Sequence, residues 1–152
     1  MKLKSIFTRT GRLTLSFGIL ALLFAPVGRA SAPAGRYTVA SGTVTDTQTG
    51  LVWQQADDGK TYTFAEAQSH CAALGGTWRV PTLKELLTLM DEGHGTGPWI
   101  DATAFPNAPA VVFWTSVPSA KISGNAWFVD FSSGESYDYY GATDTFAVRC
   151  VR

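Results

Sequence analysis

The chain has 152 residues, 45% of them apolar and 12% aromatic, with 12 Lys and Arg against 12 Asp and Glu and only two cysteines. Five of the basic residues (Lys2, Lys4, Arg9, Arg12 and Arg29) fall in the first thirty positions, so the remainder keeps seven basic against twelve acidic residues, a net charge near −5. That balance disfavours nucleic acid, sulfated polyanions and anionic membrane as partners, because each would be repelled at long range.

The first residues combine a basic start, an apolar run over 13–26 and the small residues of "GRASAPA". This is the pattern of a secretory signal peptide, read here as residues 1–32, with Ala30 and Ala32 both suited to precede the cut. The apolar run is shorter than the roughly 20 residues of a spanning helix, and an uncleaved anchor is the competing reading. No cysteine lies near the cut, which excludes a bacterial lipid anchor. Residues 33–41 read as a linker and residues 42–152 as one domain, secreted or periplasmic, with no membrane insertion once the leader is removed.

Within the domain, "GTVTDTQTGLVWQQ" predicts strand, turn and strand. Thr63 and Glu66 then stand three apart as a capping box, followed by Phe64, Ala67, Cys71 and Leu74 on one helical face and by Gly75 and Gly76 as a stop. A second capping box, Thr82 and Glu85, opens a helix with an apolar stripe of Leu83, Leu86, Leu87 and Met90, ending at Gly93. Beyond Asp91 lies a long segment rich in Gly, Pro and Ala without periodicity, of the kind that is often functional. "VVFWTS", "NAWFVDF", "ESYDYY" and the closing "FAVRCVR" predict four strands, with "SSG" as a hairpin turn. In "NAWFVDF", Ala126, Phe128 and Asp130 alternate with Trp127, Val129 and Phe131.

Two cysteines in an exported chain pair by default, so Cys71 and Cys150 are expected to form a disulfide. The loop closed would span roughly 80 residues, worth about 4.5 kcal/mol by chain entropy. A reactive free thiol or a two-cysteine metal site is the alternative; only His70 and His94 could complete the latter, and His70 points elsewhere on the helix than Cys71.

A helix of the form "TFAEAQSHCAALGG" bridged to a strand ending "VRCVR" resembles the way C-type-lectin-like domains fasten their termini together. The ordered segments "GTVTDTQTGLVWQQ", "TFAEAQSHC", "WRVPTLKEL", "FWTSVP", "AWFVDFSSG" and "FAVRCVR" are similar to the bacterial Lcl C-terminal domain, a family named after a collagen-like adhesin. The resemblance implies an α+β, C-type-lectin-like fold: two helices packed on small antiparallel sheets, a long irregular loop region, and termini fastened by the disulfide. It also marks Trp53, Trp78, Trp114 and Trp127 as framework. The namesake resembles an adhesin for sulfated glycosaminoglycans, an activity not carried over because this chain lacks a collagen-like repeat and the positive charge such ligands need.

Calcium-dependent lectins of this fold need an oxygen-bearing residue before Pro-Asn and a Trp-Asn-Asp on a neighbouring strand. The segment 105–107 offers Phe105 where that oxygen belongs, and Trp-Asn-Asp is missing, so no metal or other cofactor is expected, although Asp91, Glu92, Asp101 and Asp130 could converge. The candidate binding face is instead Tyr137, Asp138, Tyr139 and Tyr140, joined by Trp99, since tyrosine gives large contact area at low entropic cost. The competing reading is that Tyr137 and Tyr139 simply cover a sheet. His94 with Thr115 or Ser116 makes no recognisable catalytic spacing, and catalysis is not expected. The expected function is non-catalytic recognition of a glycan or a protein surface; a structural or assembly role in the cell envelope is the alternative.

Overall fold

The computed structural model describes residues 32–93 and 97–152. The leader up to position 31 and His94 lie outside the described residues. Among those described, no helix is long and apolar enough to cross a membrane.

The described residues form an α+β domain of two three-stranded antiparallel sheets and two helices. The first sheet is β1 (Tyr37–Ala40), β2 (Thr43–Asp46) and β3 (Val52–Gln54), in that order. Segment 33–41, expected as a linker, therefore contains a strand. Ala40 pairs with Thr43, leaving the two-residue loop Ser41-Gly42 with φ of 50° and 77°. Positive φ at both positions is what a type I′ hairpin requires, and its twist suits the flanking strands.

Helices α1 (Phe64–Ala73) and α2 (Leu83–Leu87) both open on complete capping boxes, Thr63 with Glu66 and Thr82 with Glu85. Ala67 and Cys71 are fully buried, and α1 ends where Gly75 and Gly76 take positive φ. Leu74, expected on the same buried face, is exposed, because it sits at the C-cap where the chain turns away. Helix α2 is shorter than its stripe implied. After Leu87 the backbone tightens into i→i+3 bonds, Leu89 N to Leu86 O and Met90 N to Leu87 O. The tightened turn brings Leu89 beside Leu86 as a fully buried residue, while Leu83, Leu87 and Met90 pack partly buried against the same core. A period of 3.6 could not foresee the change.

The second sheet is β4 (Val112–Pro118), β5 (Ala126–Asp130) and β6 (Glu135–Tyr137). Phe113 pairs with Val129, and Trp114 with Phe128. Strand alternation puts the first pair on one face and the second on the other. The Phe113 and Val129 face joins Leu86, Leu89, Ile100, Phe105 and Phe131 in one core; the Trp114 and Phe128 face joins Ala67, Cys71, Val80 and Cys150 in another. The helices thus cover opposite faces of this sheet, and each face carries a buried cluster. Ile100 and Phe105 come from the long segment after Asp91, so that loop closes the first core.

The closing segment 146–152, expected as one strand, is instead a connector with a different partner every residue or two. Phe146 exchanges both backbone bonds with Tyr62, at 2.9 and 3.0 Å; Ala147 bonds across β4 to Trp114 and Val112; Val151 exchanges bonds with Arg79, both at 2.9 Å. Gln54 N donates to Cys150 O and Val52 exchanges with Arg152. No regular ladder fits, because the segment crosses from one sheet to the other. Cys150 is bonded to Cys71 with Cα atoms 5.5 Å apart, a usual disulfide span. The bond closes 79 residues of chain.

Replacing Cys71 and Cys150 together with alanine is expected to lower the free energy of unfolding by about 3–4 kcal/mol, measured by urea denaturation of both oxidised and substituted protein. A loss below about 1 kcal/mol would mean that the closing segment holds without the cross-link.

Candidate functional site

The site begins with Phe128 on β5, which is 1% exposed and lies opposite Tyr137 on β6. The chain leaves β6 at Asp138 and folds Tyr139 and Tyr140 back over the same phenylalanine. Tyr139 meets the Phe128 ring edge-on at 5.3 Å, and Tyr140 lies at 5.0 Å from it. Tyr137 and Tyr139 are 5.1 Å apart, and Tyr139 and Tyr140 are 4.6 Å apart. Phe146 supports Tyr140 at 5.0 Å and reaches Trp114 behind it at 4.7 Å. Aromatic pairs at these separations add to what their buried area contributes.

The outer rings are left open to solvent. Tyr139 is 54% and Tyr140 38% exposed, the only exposed aromatic side chains among the described residues. Their backbone is fixed from two sides. Asn125 Nδ2 donates to Asp138 O at 3.0 Å, and Ala142 N donates to Gly124 O at 2.7 Å. Phe64 N, at the start of α1, donates to Ala142 O, and Gly141 N to Asp144 Oδ2. Ser119 Oγ donates to Asp138 Oδ2 at 2.8 Å. The Tyr137 hydroxyl donates to Glu135, which pushes its pKa up; Tyr139 is also pushed up, first by desolvation and then by Tyr140. Both stay neutral donors well beyond physiological pH.

Four of the five expected contact residues, Tyr137, Asp138, Tyr139 and Tyr140, therefore come together. Trp99 does not join them. Its backbone N donates to Phe131 O, and its indole lies over the β5–β6 turn, where a Cβ on Gly134 would come within 2.7 Å of the ring. It clamps that turn. Among the described residues no ring contact links it to the tyrosines. Tyr137 and Tyr139 both cover Phe128, as the sheet-covering reading expected, and Tyr139 is also open to water. Phe128, Phe146, Asn125 and Ser119 were not singled out from sequence. Only the alternation of "NAWFVDF" hinted that Phe128 shares a face with the tyrosines.

The other expected groups are engaged locally. Asp91 accepts from Ala32 N and Gly93 N, Asp101 from Thr103 N and Ala104 N, and Asp130 from Ser132 N and Oγ. Among the described residues, no three His, Cys, Asp or Glu side chains converge. Thr115 is buried and its hydroxyl donates to Trp127 O. His70 stacks on Tyr62 at 4.6 Å, away from the disulfide. A groove of about 560 Å³ runs between α1 and Trp78, lined by Gln68, Ala72, Arg79 and Ser116. Its one guanidinium is held by both oxygens of Glu85, at 2.8 and 2.6 Å, so it offers a ligand little free charge.

The Lcl C-terminal domain profile matches residues 42–152. The chain belongs to the Lcl C-terminal domain family. No curated protein matches it. In this Lcl C-terminal domain β1 lies upstream of the matched span, so the folded unit reaches further back than the family boundary. Membership and the closed disulfide are both consistent with an extracellular domain.

Supporting and exposed rings should separate on mutation. Phe128→Ala is expected to cost about 3–5 kcal/mol in urea denaturation. Tyr139→Ala should leave the melting temperature within about 2 °C of wild type. Comparable losses in both would mean that Tyr139 belongs to the core.

Proposed function

We propose that this Lcl C-terminal domain is an exported, non-catalytic binding module with a C-type-lectin-like fold, which holds a glycan against Tyr139 and Tyr140. The observation that carries the reading is that the exposed rings rest on a buried aromatic stack and a hydrogen-bonded backbone. A platform already ordered loses little entropy on binding, and that is where much of the cost of association arises. Sugar rings present flat apolar faces edged with hydroxyls. The tyrosine faces match the former, and the tyrosine hydroxyls, Asp138 and Glu135 match the latter.

The fold assignment is supported by the bridge from α1 to the closing segment and by the paired small sheets. Export, to the periplasm or the medium, is supported by the disulfide and by the leader read from sequence. Recognition without calcium is supported by carboxylates that already cap their own turns. The absence of catalysis is supported by the buried, engaged hydroxyl of Thr115.

A glycan array probed with the oxidised protein, with calcium and again with a chelator, tests this. Binding is expected to survive the chelator and to be lost in a Tyr139→Ala, Tyr140→Ala variant whose melting is unchanged. Binding abolished by the chelator, or indifferent to the two substitutions, would contradict the reading. A blank array together with co-purification of one envelope protein would favour the structural alternative.

A further inference from the structure

Between Lys121 and Arg149 the chain carries Asp130, Glu135, Asp138 and Asp144 and no Lys, Arg or His. Glu135 and Asp130 act on the tyrosine rings, and Asp138 and Asp144 adjoin them in sequence. Glu135 and Asp130 are cross-strand partners on the face that carries Tyr137 and Phe128, and Glu135 holds the Tyr137 hydroxyl. Asp138 stands between Tyr137 and Tyr139, and Asp144 caps Gly141 just beyond Tyr140. Both Glu135 and Asp130 are near enough to act on the Tyr137 and Tyr139 hydroxyls electrostatically.

Among the described residues none of these four carboxylates forms an ion pair. Ion pairs among the described residues lie elsewhere, including Arg36 with Asp46, His70 with Asp58 when the imidazole is protonated, Arg79 with Glu85 and Arg149 with Asp57. Of the two cations that bound this stretch, Arg149 is buried and paired with Asp57, which leaves Lys121. It is exposed on the β4–β5 loop, and its backbone N, not its ammonium, bonds to Ser119 Oγ. Aromatic faces carry negative potential of their own and attract organic cations, more strongly where carboxylates add to the field.

We infer that the ligand of this face is a cationic glycan, a polymer of amino sugars with unacetylated amines, whose ammonium groups lie over Tyr139 and Tyr140 within the field of Glu135 and Asp138. This rests on the glycan reading above and adds the charge of the sugar to it. The charge that makes sulfated chains poor partners is the charge that favours this one.

The test compares two hexamers that differ only at the amino group, fully deacetylated glucosamine with free ammonium groups and its N-acetylated counterpart with neutral acetamides, titrated into the oxidised full domain at slightly acidic pH. The amines are then protonated while the carboxylates stay ionised. The deacetylated hexamer is expected to bind at least about tenfold more tightly, with the advantage shrinking as salt is added. Glu135→Gln and Asp138→Asn, checked for unchanged melting, should each weaken it by about threefold to tenfold. Equal binding of both hexamers would overturn the inference and leave the glycan reading standing. Binding of neither would overturn both. A lysine hexamer binding as tightly as the amino sugar, or a preference that persists in Tyr139→Ala, Tyr140→Ala protein, would reduce the effect to bulk charge attraction and overturn the inference alone.

Discussion

Arg149 is 1% exposed, two positions short of Val151 and next to the disulfide, and a guanidinium taken that far out of water would cost several kcal/mol if left uncompensated. Desolvation pulls its pKa down to about 10, partly opposed by Asp57 at 3.6 Å, so it remains charged at neutral pH. Its compensation comes from three separate stretches of the chain. Nη1 donates to the carbonyls of Gln54 and Gln55, at 2.8 and 2.6 Å, where the first sheet ends. The same group lies 5.0 Å from the Phe105 ring of the long loop and 5.7 Å from Phe113 of β4. A hydrophobic residue here would leave two carbonyls without donors. The buried cation therefore specifies how first sheet, loop and second sheet meet.

The rest of the closing segment repeats this in backbone bonds. Because residues 146–152 pair with Tyr62, β4, Arg79 and β3 in turn, neither sheet is complete without them. The disulfide adds a covalent limit on how far α1 can part from that segment in the unfolded chain. The tyrosine platform inherits this rigidity. Phe146 is both the first residue of the connector and the support of Tyr140, and Phe64, which opens α1, fixes the backbone at Ala142. A surface built this way is pre-formed, which lowers the ordering cost of any contact made on it.

What was legible in the sequence was local. Both capping boxes, the glycine stop of α1 and the alternation of β5 depend on residues within a few positions of one another, and the structure bears them out. The cysteine pairing was legible because only two were present. The missed features depend on distant partners. Ser41-Gly42 shows its hairpin only through φ values that let Ala40 meet Thr43. Leu89 is buried because α2 tightens against the core. Nothing local in "FAVRCVR" says that it serves both sheets. Trp99 was expected beside the tyrosines, yet its indole lies over Gly134 at the β5–β6 turn, a contact that no local pattern announces. The site was half legible: four residues cluster because they are neighbours in sequence, while their support on Phe128 and Phe146 is a product of the fold.

Native-state hydrogen exchange, followed residue by residue on the oxidised protein, tests most directly whether the closing segment is the element on which both sheets depend. The amides to watch are Gln54, Trp114, Ala147 and Val151, which bond across the connector. The account predicts that all four exchange only through openings as costly as global unfolding. If Ala147 and Val151 exchanged through low-energy fraying of the tail while Gln54 and Trp114 stayed protected, the sheets would stand without the segment and the account would be wrong.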